Sequence, residues 1–421
     1  MIRRVFYNAG AQILGKGFTA GTTLVVTLLV GRSLGPAGFG DFTKIFVFVG
    51  YFYTFSDFGL NSIYIAKSNL KNEVALFRVL VSLRLVMALV FVALALSVGF
   101  FLPYNAAENT GFGPVVKIGI AAASVTILTQ ALYTSANSLF QKKLRYDLST
   151  IAAVSGAITI LLAALLISLK GGSVTQFAAA YVLGGIVTAF SAYLILYAKW
   201  QIFVIPKIDW GTFLNYLSKS WPVGLALILN LLYFRTDVLI LAWVRQPQEV
   251  GIYGLSYQFF EASLAVPIFF VNAIYPYLAS VYKQNINKFY KDFKFWILVL
   301  FSISVLLSIF LILVSFLIPF IYDLRFAASR LPLVILASGI PFFFLSALLW
   351  HILIIYDRQK KLVLVYGAGF IFNLTANLIF IPKFGYIAAA ANTVISEAFI
   401  LLLLTVIVLG ASKLKSASSY D

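Results

Sequence analysis

Six polar residues, Asn8, Gln12, Lys16, Thr19, Thr23 and Thr27, punctuate an apolar run at spacings of three and four. At 100° per helical residue they fall within roughly a 100° arc, so one helix face carries an amine, amides and hydroxyls. Ile13, Leu24 and Leu28 hold the opposite face. A cation beside neutral hydrogen-bond donors is the chemistry that receives phosphate and sugar hydroxyls. Two readings of the stripe stand. It lines a watery cavity, because a lysine facing lipid in mid-span costs ~3 kcal/mol or more, or its threonines bond between helices while Lys16 snorkels to the headgroups.

Other ionisable groups also lie inside apolar runs. Arg84 and Arg235 are further candidates for contacting an anionic cargo, and each is equally readable as a snorkelling or packing group. Asp57, Asp237, Glu261 and Glu397 are candidates for taking a coupling proton or sodium ion, or for neutralising the three buried cations. Asn230, Tyr233 and Asp237 share a helix face, whereas Arg235 points about 200° from Asp237. A second polar stripe comprises Gln130, Thr134, Asn137, Ser138 and Gln141. With one histidine, His351, and no cysteine, no metal site and no disulfide is expected. No GxxxxGK[ST] phosphate loop is present, so ATP hydrolysis is not expected.

These groups must be positioned by helices that cross a membrane. Of 421 residues, 62% are hydrophobic and 11% charged, and the mean hydropathy is +0.98, more apolar surface than a water-soluble domain buries. About twelve spans are expected on the length criterion: 9–31, 42–66, 79–102, 114–139, 148–169, 174–198, 221–244, 250–281, 295–320, 331–356, 362–381 and 386–410. The net charge of +17 could suggest nucleic acid, but its placement is topological. With the N-terminus inside, twenty of the 31 basic residues fall on inside segments and eight, Lys44 among them, on outside ones. Both termini are therefore expected to be cytoplasmic. The N-terminus leads into the first span without a small-residue cleavage site, so no removable signal is expected.

The stretch Ala198–Ser220 reads as a surface-lying inside connector, with Trp200, Trp210 and Trp221 at or near its ends. It falls near mid-chain. Phe39–Phe42 lines up with Val250–Tyr253 at an offset of 211, and Lys170–Gly172 with Lys383–Gly385 at an offset of 213. The expected organisation is an all-α polytopic membrane protein. It would have a six-helix lobe over 1–198, a connector over 199–220 and a second six-helix lobe over 221–421, around a central cavity.

Three segments carry a resemblance: GRSLGPAGFGDF (Gly31–Phe42) with the Gly59-Leu60 pair, FRTDVLILAWVRQPQEVGIYGLSYQF, and ANLIFIPKFGYIAAAANTVISE (Ala376–Glu397). Together they resemble polysaccharide flippases of the Wzx type, a branch of the multidrug/oligosaccharidyl-lipid/polysaccharide exporter (MOP) superfamily. The resemblance implies a MATE-like architecture and alternating access. Its implied cargo is a polyprenyl-pyrophosphate-linked oligosaccharide, moved from the inner to the outer leaflet of the cell membrane for surface polysaccharide assembly. The implied partners are that cargo, membrane lipids and glycan-assembly proteins, with no nucleic acid and no cofactor beyond a coupling H+ or Na+. On this reading the chain is not an enzyme, and Lys16, Gln12, Thr19 and Thr23, with Arg84 and Arg235, contact the cargo. A cation-coupled drug exporter of the same superfamily is the alternative, with a polytopic glycan polymerase or ligase behind it. Short outside loops disfavour the enzyme.

Overall fold

A bilayer admits only backbone whose polar groups are satisfied internally, and the chain is helical almost throughout. The computed structural model describes residues 2–68 and 72–417, with side chains for 15–68 and 72–411 apart from 226. The helices are α1 (Ile2–Asp57), α2 (Leu60–Lys67), α3 (Glu73–Phe101), α4 (Pro114–Ala123), α5 (Val125–Lys142), α6 (Tyr146–Leu169), α7 (Val174–Trp200), α8 (Trp210–Val244), α9 (Pro247–Ser263), α10 (Ala265–Gln284), α11 (Ile286–Ile321), α12 (Arg330–Ile355) and α13 (Gln359–Ala417). A two-stranded hairpin, β1 (Tyr104–Asn105) with β2 (Thr110–Gly111), follows α3.

Among the described residues, ten helical stretches are long and apolar enough to cross a membrane, so the chain is a multi-pass membrane protein. Two of them, Gly15–Lys67 and Gln359–Ala411, have 53 residues each. At 1.5 Å per residue that is about 80 Å, more than twice the ~30 Å hydrocarbon core. Each turns sharply at a glycine near its middle: Gly35 (φ 66°), followed by Pro36, and Gly385 (φ 60°), three residues after Pro382. A positive φ at these turns is what glycine supplies without steric penalty. The loop expected over Gly31–Asp41 is therefore reduced to a kink at Gly35 with helix on both sides.

Three expected spans are discontinuous. The second breaks after Asp57, where Phe58 (φ 44°) and Gly59 (φ 68°) are both left-handed before α2 resumes. The fourth divides at Ser124, and the eighth at Leu264. Leu264 lies three residues before Pro267, whose ring clashes with the carbonyl of the residue four before it, so the bend that this proline imposes falls one turn upstream of it. A Cβ at Gly59 would lie 2.5 Å from Val223 Cγ1 of α8. Gly59→Ala is therefore expected to destabilise the protein by about 2 kcal/mol, from backbone strain and overpacking together. An unchanged thermal midpoint in detergent would contradict this.

The chain forms two compact units, residues 1–235 with 246–248, and 236–245 with 249–421. In the first, Leu60, Tyr64, Phe77, Leu80, Phe140 and Phe213 belong to one buried cluster. In the second, Phe260, Phe326, Leu336, Phe344 and Leu348 are buried. Phe100, Phe101, Leu169, Phe320 and Leu364 are exposed, the pattern of helices that meet lipid. Lys44 does not join an outside loop. It is 1% exposed, donates to Gly111 O at 2.8 Å and lies 3.7 Å from Asp41, so it ties the hairpin to α1.

Residues 201–209 connect α7 to α8 without helix. Asp209 caps α8: its carboxylate accepts from the Thr212 amide at 3.1 Å and the Thr212 hydroxyl at 2.9 Å. The amide bond is the main cause holding this carboxyl below its usual range. The associated stabilisation is present at neutral pH and is lost as pH falls through that lowered value.

Candidate functional site

Four residues of the α1 stripe have described side chains; Asn8 and Gln12 lie outside the described side chains. Lys16 and Thr23 are exposed, Thr19 is half-buried and Thr27 is buried. The threonine hydroxyls form a ladder down the helix. Thr19 donates to Gly15 O (3.0 Å), Thr23 to Thr19 O (2.9 Å) and Thr27 to Thr23 O (2.8 Å). Each donor is thus spent on the helix backbone, and the hydroxyl oxygens of Thr19 and Thr23 retain lone pairs for incoming donors such as sugar hydroxyls. On the neighbouring face Gly15 meets Thr150 of α6, whereas Gly17 and Gly21 have open space where a side chain would be. The stripe therefore runs along the margin between the packed and open sides of the helix.

Arg84 and Asp57 come together, and neither faces open space as a lone charge. Arg84 is fully buried, and its Nη2 donates to Asp57 Oδ1 at 2.6 Å and to Asn61 Oδ1 at 2.9 Å, while Nη1 donates to Ser135 Oγ at 3.3 Å. The helix break at Phe58–Gly59 stands between Asp57 and Asn61, and so lets one guanidinium take acceptors from both sides of the interruption. Snorkelling, one reading of Arg84, is excluded in this structure by its 0% exposure.

A second buried polar network lies in the other unit. Asp237 of α8, 2% exposed, accepts from the hydroxyls of Tyr253 on α9 and Thr393 on α13, the latter at 3.2 Å. Alongside Thr393 runs a relay. Asn392 donates to Asn377 (3.0 Å), Asn377 to Asn373 (2.8 Å) and Asn373 to Ser396 (3.0 Å). The break at Gly385 folds α13 back on itself, which brings Asn377 opposite Asn392, eight and seven residues from the turn. At 1.5 Å per residue these groups lie about 11–18 Å below it, well inside the hydrocarbon layer. Glu397, also 2% exposed, shares a face with Thr393 one turn away. Buried carboxylate, hydroxyl and carboxamide oxygens are the donor set for a proton or a small hard cation.

Arg235 is half-buried at the end of the first unit's share of α8, and Glu261 is exposed near the end of α9. His351 stacks edge-on with Tyr275 at 5.2 Å, and its Nδ1 lies 2.8 Å from Ala347 O. Among the described residues no cluster of acidic and histidine side chains could hold a metal ion.

Residues 5–282 match the family described as polysaccharide biosynthesis protein, about two thirds of the chain. The chain belongs to that family. No curated protein sequence matches this polysaccharide biosynthesis family member. Its fold is similar to that of a lipid II flippase, MurJ, in an inward closed conformation, with TM-score 0.72 and 14% identity over 93% of this chain and 86% of that one. An inward-facing multidrug resistance MATE transporter of the MOP superfamily aligns with TM-score 0.69 and 16% identity, over 94% and 96%. A MOP transporter from Pyrococcus furiosus, whose binding pocket is described as reversed in polarity, aligns with TM-score 0.62 and 13% identity, over 98% and 96%. The family member therefore has the MOP fold that the resemblance implied.

Several partners in these networks carry no sequence signal of their own. Asn61, Ser135, Tyr253 and Thr393 are ordinary helix residues until tertiary packing brings them to a charge. The pairs Asn392–Ser396 and Thr393–Glu397, each at i, i+4, were the available hint.

Proposed function

We propose that the chain is a flippase that moves a polyprenyl-pyrophosphate-linked oligosaccharide from the inner to the outer leaflet by alternating access. It works in the cytoplasmic membrane with both termini cytoplasmic, supplies surface polysaccharide assembly alongside glycan-assembly proteins, and catalyses no covalent step. Its transport unit comprises two six-helix lobes, 1–198 and 221–421, joined by the connector 199–220. Counting two crossings in each of the 53-residue stretches gives twelve. The proline that follows the break at both Gly35-Pro36 and Gln246-Pro247, offset by 211, supports the duplication.

The observation that carries this reading is the family match over 5–282, which includes the Lys16 stripe. Pyrophosphate and sugar need a wet path with a cation and acceptors, whereas the polyprenyl tail remains in lipid. The stripe supplies the amine at Lys16 and hydroxyl oxygens at Thr19 and Thr23, with Gln12 above them. Arg84 supports the same path as a positioning group behind Asp57, and Arg235 is a second cation for the cargo. The test is reconstitution in liposomes with a fluorescent lipid-linked oligosaccharide, read by quencher access to each leaflet. Transbilayer movement equal to that of protein-free liposomes would overturn the proposal.

The likeness to a multidrug MATE transporter favours drug export as the second reading. Lys16 disfavours cationic drugs by charge. Drug resistance on overexpression, without loss of surface glycan on deletion, would select it.

Coupling to H+ or Na+ is assigned to Asp237, with Glu397, one turn from Thr393 on α13, as its companion. Asp57, already neutralised by Arg84, and the exposed Glu261 are the weaker candidates. Asp237→Asn keeps the shape and removes the charge, so gradient-driven transport should fall to the level seen without a gradient. Retained stimulation by both proton and sodium gradients would exclude Asp237.

A further inference from the structure

A cavity of about 420 Å³ lies within the first unit, on the far side of Leu85 and Tyr193 from the buried Arg84, and has a nearly continuous apolar wall. Its lining comes from one face each of three helices and from the connector. Val81 and Leu85 of α3, Thr129 and Leu132 of α5, and Ile186, Ala189, Phe190 and Tyr193 of α7 are spaced by three, four or seven residues, so each set shares a face. Val204 and Pro206 of the connector close its inside end. At the other end α5 and α7 approach closely, since a Cβ at Gly185 would meet Thr129 Oγ1. Phe190 and Ile186, 66% and 47% exposed, open one side to the surroundings of α7.

Three observations define an occupant. First, the walls suit a hydrocarbon chain, and the volume falls in the ~300–1,000 Å³ range of small-ligand sites. Second, the inside rim is basic. Arg78 stands one turn before Val81 on the same face of α3, and its Nη2 donates to Phe203 O at 3.3 Å. Its buried Nε has no partner among the described residues. Lys207 follows the lining residue Pro206. Third, the Tyr193 hydroxyl, within electrostatic reach of Arg84, is buried in this wall with no hydrogen-bond partner among the described residues, while Thr129 already donates to Thr126 O at 3.2 Å. A buried, unsatisfied hydroxyl favours a chain that carries an acceptor. An ester-linked acyl chain has a carbonyl near its headgroup, and a polyprenyl chain has none.

The connector is built to lie at the same depth. Ile202 is buried and Val204 half-buried, whereas Phe203 and Ile205, which alternate with them, are 67% and 60% exposed. With Ile208 and Trp210 also exposed, this extended segment presents apolar side chains outward at the inside interface.

We propose that this cavity binds one anionic phospholipid of the inner leaflet, its acyl chain among α3, α5 and α7, its phosphate at Arg78 and Lys207, and its ester carbonyl at the Tyr193 hydroxyl. The site is separate from the cargo stripe, and its occupancy does not depend on the flippase reading.

The test is native mass spectrometry of the full chain released from nanodiscs containing equal phosphatidylglycerol and phosphatidylcholine, with a polyprenyl phosphate as competitor. Phosphatidylglycerol should be retained at least tenfold over phosphatidylcholine. The Arg78→Gln/Lys207→Gln variant should lose that preference, and Tyr193→Phe should weaken retention severalfold at an unchanged thermal midpoint. Ala189→Phe, which fills the cavity, should abolish retention. Tyr193→Phe is conservative enough to remain informative if that larger change unfolds the protein. Equal retention of both phospholipids, or displacement of phosphatidylglycerol by equimolar polyprenyl phosphate, would overturn the proposal.

Discussion

Asp57→Ala is expected to destabilise the protein by about 3–5 kcal/mol, the penalty for leaving a buried charge without its counter-ion. Arg84 is fully buried, and without the carboxylate 2.6 Å away its guanidinium keeps only the neutral oxygens of Asn61 and Ser135. The reciprocal change should be milder. Asp57 is 34% exposed, so in Arg84→Met water can hydrate the carboxylate, and a loss of about 1–2 kcal/mol is expected. Replacing both, as Asp57→Leu/Arg84→Met, should recover most of the stability, because two apolar side chains leave no charge to desolvate. The order of the denaturation midpoints in detergent is the measurement. If Arg84→Met were the worse of the two single variants, burial of the arginine would not be what governs the stability of the pair.

Lys16→Ala is expected to reduce cargo translocation by roughly 30- to 150-fold while leaving expression and the thermal midpoint unchanged. That is the factor corresponding to loss of a charge-assisted contact worth ~2–3 kcal/mol. Lys16 is exposed on a helix whose adjacent face carries the packing contact, Gly15 against Thr150, so truncating the amine removes little packing. Lys16→Arg retains the charge in another shape and should keep part of the activity. Normal translocation by both variants would remove the amine from the transport path. A drop in the thermal midpoint matching the loss of transport would instead make Lys16 a structural residue.

Sequence alone decided the class of the molecule, and it did so through bulk physics. A hydropathy of +0.98 leaves no water-soluble solution, and charge excluded from apolar runs marks where those runs end. The stripe on α1 was also legible, since helical periodicity is a local property and Lys16 to Thr27 lie on one helix. The glycines and prolines at 35–36 and 382–385 announced turns, though each proved tighter than a loop: a single left-handed residue is enough to reverse a helix.

Tertiary structure decided which charges are paired and which remain exposed. Arg84 and Asp57 are 27 residues apart and Asp237 and Thr393 are 156 apart, so no helical spacing relates them. The networks around them run across two helix breaks. Phe58–Gly59 interrupts a span that reads as continuous apolar sequence, and Gly385 folds α13 so that Asn377 meets Asn392. A hydropathy window averages over such breaks, because a single residue with positive φ changes direction without changing polarity. Chain direction at those few residues, which only long-range packing selects, turned a scatter of buried polar side chains into two networks.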